Sequence, residues 1–65
     1  MQLVQERGVV ILEDPRTRRR FAFRFESRRA LARFVDRVTG QPDGEALQMA
    51  WQYVEAGRAV PERNF

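Results

Sequence analysis

Residues 14–27 decide the fold, and their sequence is DPRTRRRFAFRFES. Asp14 and Pro15 suit the first two positions of a β-turn. The residues that follow alternate between phenylalanine and mainly arginine, and alternation with a period of two is typical of a half-buried β-strand. The apolar face of this strand is formed by Phe21, Phe23 and Phe25. The stretch therefore predicts the turn and the second strand of a β-hairpin, with the phenylalanines facing the core.

The residues before the turn predict the partner strand. Residues 3–13 are rich in the β-branched residues that favour strands. The segment Glu6-Arg7-Gly8 interrupts the run as either a bulge in one long strand or a turn between two short ones. A break is favoured because Gly8 weakens the interior of a strand. All strands are expected within residues 3–26.

Two helices are predicted after the hairpin. Ser27 is a suitable N-cap for a helix over about 28–39, whose apolar residues recur at helical spacing. Gly40 ends that helix and Pro42 prevents its continuation. Asp43 is the N-cap candidate for a second helix over about 44–56, with Gly57 at its C′ position. Residues 58–65 are predicted to form an extended tail.

These elements predict an α+β fold. A hairpin alone is unstable in water, so its phenylalanine face must be covered. The expected architecture is a small antiparallel sheet, either a hairpin or a three-stranded meander, followed by two helices packed on one face. A chain of 65 residues forms a single domain over residues 1–65, with a core of limited size.

Composition excludes several kinds of chemistry. The chain has no Cys, His or Lys, and all 12 of its basic residues are Arg. Disulfides, Ser–His or Cys–His nucleophile pairs, Schiff bases and a structural zinc site are therefore not expected. Glu13, Asp14 and Glu26 are the carboxylates nearest the sheet, and a domain this small offers little room for the cleft that would shift their pKa values. The sequence predicts no enzyme, no cofactor and no metal.

Positive charge is concentrated in the middle of the chain. Residues 16–37 hold nine Arg against two carboxylates, a local charge of +7, whereas residues 41–65 carry a charge of −2. A clustered basic surface is typical of nucleic-acid binding, and the guanidinium fork matches phosphate oxygens. An ordinary solvated surface is the alternative, as is an anionic protein partner. The candidate nucleic-acid-binding residues are Arg18, Arg20 and Arg24 on the strand, and Arg29, Arg33 and Arg37 on the first helix.

The second helix is apolar over more than half of its circumference. A surface helix needs an apolar arc of only about 100° or slightly more. One stripe is expected to cover the sheet, and the other to contact a partner, the first helix or a tail that folds back. If the second stripe contacts a partner, we expect by default a second copy of the chain in a two-fold homodimer, because such dimers are the commonest oligomers. The candidate interface residues are Ala46, Met49, Ala50 and Tyr53.

These features lead to two functional hypotheses. The first is a small non-enzymatic interaction or regulatory protein that acts as a homo-oligomer and binds another macromolecule. The second is a DNA- or RNA-binding protein that uses the arginine surface. Residues 1–12 lack the pattern of a signal peptide, and no stretch approaches the roughly 20 apolar residues of a membrane span, so a cytoplasmic protein without membrane contact is expected.

Overall fold

The computed structural model describes residues 1–62 as a four-stranded antiparallel sheet with two α-helices. The elements in chain order are β1 Gln2–Val4, β2 Val9–Glu13, β3 Arg20–Phe25, α1 Arg28–Val38, α2 Asp43–Glu55 and β4 Ala59–Glu62. The strands lie in the order β1-β2-β3-β4. The α+β class is as predicted, and the helices cover one face of the sheet.

The β2–β3 hairpin forms where the alternating pattern predicts it. Its register pairs Val10 with Phe23 and Leu12 with Phe21, so large apolar side chains stand opposite each other on the same face. At positions 6–8 the structure has a turn and no bulge. Gln5–Arg7 form one turn of 3-10 helix, and Gly8 follows with a φ of 67°, a left-handed conformation that glycine adopts without steric cost.

The predicted extended tail contains a fourth strand. β4 pairs antiparallel with β3, and Phe25 stands opposite Ala59 in this register. The sheet therefore has one strand more than the predicted three-stranded meander. The strand was missed because Val60-Pro61 is too short and too proline-rich to give a strand pattern. The remainder of the predicted tail, residues 63–65, lies outside the described residues.

The helix ends follow their capping residues. The Ser27 hydroxyl oxygen accepts a hydrogen bond from the Ala30 N–H at 3.1 Å, as expected of an N-cap. Gly57 has a φ of 74°, and the Arg58 N–H donates to the Tyr53 carbonyl, which makes this a Schellman motif. The prediction of Asp43 as an N-cap is wrong. Pro42 occupies that position, and Asp43 is the first helical residue.

The core lies between the sheet and the helices. Phe23 and Phe34 are its largest fully buried side chains, with Val10 and Leu12 beside them. Aromatic rings connect the sheet to both helices. The ring centroid of Phe34 on α1 lies 4.9 Å from that of Phe25 on β3 and 5.6 Å from that of Tyr53 on α2. Such aromatic pairs add stabilisation beyond the area they bury.

Neither helix of the described chain combines the length and the apolarity that a membrane span requires.

Candidate anion-binding groove

An open groove runs along the surface where α1 and α2 meet. Its volume is about 510 Å³, and both of its walls carry polar side chains. On the α1 wall stand Arg33, Asp36 and Arg37, and on the other stand Gln52, Tyr53 and Arg58. Arg33 and Arg37 lie on the same wall because residues four apart are neighbours on a helix surface.

The groove continues into a second depression of about 270 Å³ at the start of α1. Arg33 and Arg58 line both, and Arg29 lines the second with Glu26 and Ser27. One continuous concave surface therefore carries Arg29, Arg33, Arg37 and Arg58, and we call it the arginine groove.

Arg58 was absent from the residues predicted from the sequence. It is separated from the α1 arginines by more than 20 positions, and only the packing of α2 against α1 brings it near them. The available signal was Gly57, which predicts that the chain reverses at this point. That signal does not indicate which surface the next side chain faces.

The four guanidinium groups of the arginine groove are electrostatically uncompensated at short range. Among residues 1–62, no carboxylate oxygen lies within 4.0 Å of any of them. Asp36 and Glu26 line the groove but form no ion pair with it. Arginines brought together without paired carboxylates produce a positive potential that attracts anions.

The strand arginines are placed differently. Arg20 and Arg24 alternate with the phenylalanines, so they lie on the open face of the sheet, away from the helices. Arg24 is paired with Glu62, and the Arg20 guanidinium donates to the Gln2 side-chain oxygen at 3.2 Å. The two predicted arginine rows therefore lie on opposite sides of the molecule and do not form one surface.

Arg18 belongs to neither row. It lies in the β2–β3 loop with a φ of 62°, which costs a non-glycine residue about 1–2 kcal/mol. Its N–H donates to the Asp14 carbonyl at 2.8 Å, which holds the loop closed. Its guanidinium lies 3.6 Å from the Glu13 carboxylate, with the Arg18 side chain exposed and the Glu13 side chain half-buried.

Glu62 sits between two arginines on the open face. Its side chain is only 13% exposed, and one of its oxygens lies 3.8 Å from the Arg7 guanidinium. That oxygen, Oε2, is buried without a hydrogen-bond partner among the described residues. The ion pair between Arg24 and Glu62 links β3 to β4. It stabilises the sheet and leaves the Arg24 guanidinium less available to an external ligand.

The residues predicted as an oligomer interface are used within the chain. Ala46 and Ala50 are 1% and 0% exposed and belong to the core, so their side chains offer no surface to a partner. Met49 and Tyr53 are partly buried against the same core. The apolar arc of α2 is wide because the helix packs on both the sheet and α1. Ala46 and Ala50 therefore belong to the packing of α2 on the sheet and α1, whereas Met49 and Tyr53 keep exposed surface and their role in an interface stays a prediction.

Asp43 connects the start of α2 to the sheet. Its carboxylate accepts hydrogen bonds from the Met1 terminal ammonium at 2.9 Å and from the Glu13 N–H at 3.1 Å. The hydrogen bond from the ammonium, followed by that from the Glu13 N–H, holds the pKa of the Asp43 carboxyl below its ordinary value. The charged form is therefore favoured in the folded state.

We expect Asp43→Asn to lower the free energy of unfolding at pH 7 by about 1 kcal/mol, with a free Met1 amino group. Because the folded-state pKa is depressed, the stabilisation is fully present above the unfolded pKa of about 3.9. It is lost as the pH falls through the lower folded pKa. Urea unfolding between about pH 7 and 2 should show the two proteins converging in stability at the acid end.

The matched control is Glu45→Gln, which removes a carboxylate from the same turn of α2 without removing a described hydrogen bond. The Glu45→Gln protein should stay closer to the wild type in stability at pH 7 than the Asp43→Asn protein does, because no described hydrogen bond is lost. An Asp43→Asn protein whose stability differs from the wild type by the same amount at every pH would contradict the assigned role of the carboxylate.

Comparison with known proteins gives no relative, since no protein-family model, curated protein or solved structure matches the chain.

Proposed function

We propose that this chain is a non-enzymatic binding protein whose arginine groove contacts the phosphate backbone of a nucleic acid, in a cytoplasmic setting. The observation that carries the proposal is the convergence of Arg29, Arg33, Arg37 and Arg58 on one concave surface without a paired carboxylate among residues 1–62. Guanidinium groups bind phosphate oxygens in a bidentate manner, with specific geometry as well as charge.

The spacing of the α1 arginines supports a polymeric ligand. Arg29 and Arg37 are eight residues apart, which corresponds to about 12 Å along a helix. One strand of duplex DNA rises about 3.4 Å per nucleotide, so this row matches the rise of three to four nucleotides. A single small anion would occupy only part of such a row, whereas a backbone with repeated phosphates contacts all of it.

The groove favours phosphate contacts over base recognition. Tyr53 is the aromatic residue that lines it, and the Tyr53 ring makes edge contacts with Phe25 and Phe34 in the core. A ring held in this way has little free face on which a base could stack. Contacts to phosphate position a protein without reading sequence, so binding should tolerate many sequences.

The test is fluorescence anisotropy with labelled DNA and RNA of two unrelated sequences, each single- and double-stranded. Four phosphate contacts predict a slope of log affinity against log salt of about −3.6 for duplex DNA, which is about 150-fold between 50 and 200 mM salt. Affinity should be similar for the two sequences. Absence of binding to every probe at low salt would refute the proposal.

An anionic protein surface is the competing ligand for the same charges. A pull-down from lysate, with and without nuclease treatment, separates the two. Partners released by nuclease support nucleic-acid binding, and a single acidic protein retained after nuclease supports the alternative.

A further inference from the structure

The two edges of the sheet differ in how well they are protected. β1 and β4 are the edge strands. β4 contains Pro61, which lacks an N–H, and the charged Glu62. Proline and charge are devices that prevent pairing with another strand. β1 carries neither, since Gln2–Val4 has the sequence QLV. The β1 edge therefore lacks the proline and the charge that protect β4, and at three residues it offers a short strand for pairing.

A shallow apolar groove of about 230 Å³ lies between this edge and α1. Leu3 lines it and is 40% exposed, a large fraction for a leucine in a sheet. Ala32 and Val35 line it from the helix, and Ala32 is exposed. Arg28 lies four residues before Ala32, and Asp36 lies four residues after it. One positive and one negative charge are therefore about 12 Å apart along α1.

We propose that the β1 edge and this flank of α1 form a two-fold homodimer interface. Antiparallel pairing of β1 with its symmetry mate, centred on Leu3, joins the two sheets into one. The same axis places α1 antiparallel to α1 of the second copy, with Ala32 at the crossing, where a small side chain allows close approach. Arg28 then lies opposite Asp36 of the partner subunit, and Asp36 opposite Arg28 of the partner subunit.

The charge arrangement identifies the occupant as a second copy. A two-fold interface must be self-complementary, because each surface meets an identical one. One cation and one anion placed symmetrically about a small apolar centre satisfy that requirement, whereas a partner with a single kind of charge would be repelled at one end. The dimer would also extend the core of a chain of 65 residues that contains no disulfide.

Charge exchange between Arg28 and Asp36 tests the interface. Sedimentation equilibrium from about 1 to 200 µM should show a dimer of micromolar order for the wild type. Arg28→Glu and Asp36→Arg each place like charges opposite one another twice, and each should weaken the dimer about ten-fold. The double variant restores opposite charges and should recover most of the affinity. Arg28→Glu places a negative charge at the N-terminus of α1, and Asp36→Arg places a positive charge near its C-terminus. The helix dipole favours both, so both variants are expected to fold.

Two further variants define the surface. Leu3→Lys should weaken the dimer because lysine on an edge strand disfavours pairing. Arg19→Glu, an exposed residue of the β2–β3 loop, is the matched control and should leave the dimer unchanged. A wild-type chain that stays monomeric over the whole range overturns the proposal. Two other results also overturn it. One is a dimer that neither single reversal weakens, and the other is a double variant whose affinity stays as low as that of the single variants.

Discussion

Phe34→Ala is expected to remove a large part of the free energy of unfolding of the domain at 25 °C. Phe34 is fully buried at the centre of α1, and its ring contacts those of Phe25 and Tyr53. Truncating a buried phenylalanine to alanine costs about 3–5 kcal/mol, from reduced burial and from the cavity left behind. A chain of 65 residues has a total stability of roughly 3–10 kcal/mol, so this change removes much or all of it.

Circular dichroism with urea titration measures the effect. Trp51→Ala is the control, because it removes a still larger aromatic side chain that is 38% exposed at the edge of the core. Trp51 contacts Phe21 and Phe23 through ring edges, and we expect its removal to cost about 1–2 kcal/mol. A Phe34→Ala protein as stable as the wild type, or less affected than Trp51→Ala, would contradict the described core.

The second large effect is expected on binding. Replacing Arg29, Arg33 and Arg37 together with alanine should weaken nucleic-acid binding about 100-fold, because each arginine bound to a phosphate contributes about 1 kcal/mol. The slope of log affinity against log salt should become shallower by about three, since each of these arginines accounts for about one. The weakening should be similar for unrelated sequences, because phosphate contacts carry no sequence information.

A second triple variant, Arg16→Ala with Arg18→Ala and Arg19→Ala, is the matched control. It removes the same charge from the exposed β2–β3 loop, outside the arginine groove. If affinity depends on the groove, this variant should bind nearly as well as the wild type. Equal weakening by the two triple variants would show that net charge determines binding, and the arginine groove would be rejected as the site.

Local sequence was sufficient to predict much of the fold. The alternation of Phe21, Phe23 and Phe25 identified β3 and its buried face. The bounds of both helices differ from the predicted ones by one residue at most. These features depend on periodicity and on hydrogen bonds between residues a few positions apart, as with Ser27 and Ala30. Such interactions are encoded by near neighbours in the chain.

The candidate site was only partly accessible from sequence. The spacing of Arg29, Arg33 and Arg37 identified one wall of the arginine groove, since helical periodicity places them in a row. It could not show that Arg20 and Arg24 lie on the opposite side of the sheet from the helices. The spacing also could not show that Arg58 lines the groove, because only the packing of α2 against α1 brings Arg58 near the other arginines.

The arginine-rich strand and first helix, with the phenylalanine face between them, were determined by the sequence alone. Only the tertiary structure decided that residues 59–62 form β4, that Ala46 and Ala50 are core, and that Asp43 binds Met1 and Glu13 instead of capping its helix. The physical reason is the range of the interactions. Turns, caps and helical stripes depend on adjacent residues, whereas strand pairing, burial and the merging of charges depend on contacts between distant parts of the chain.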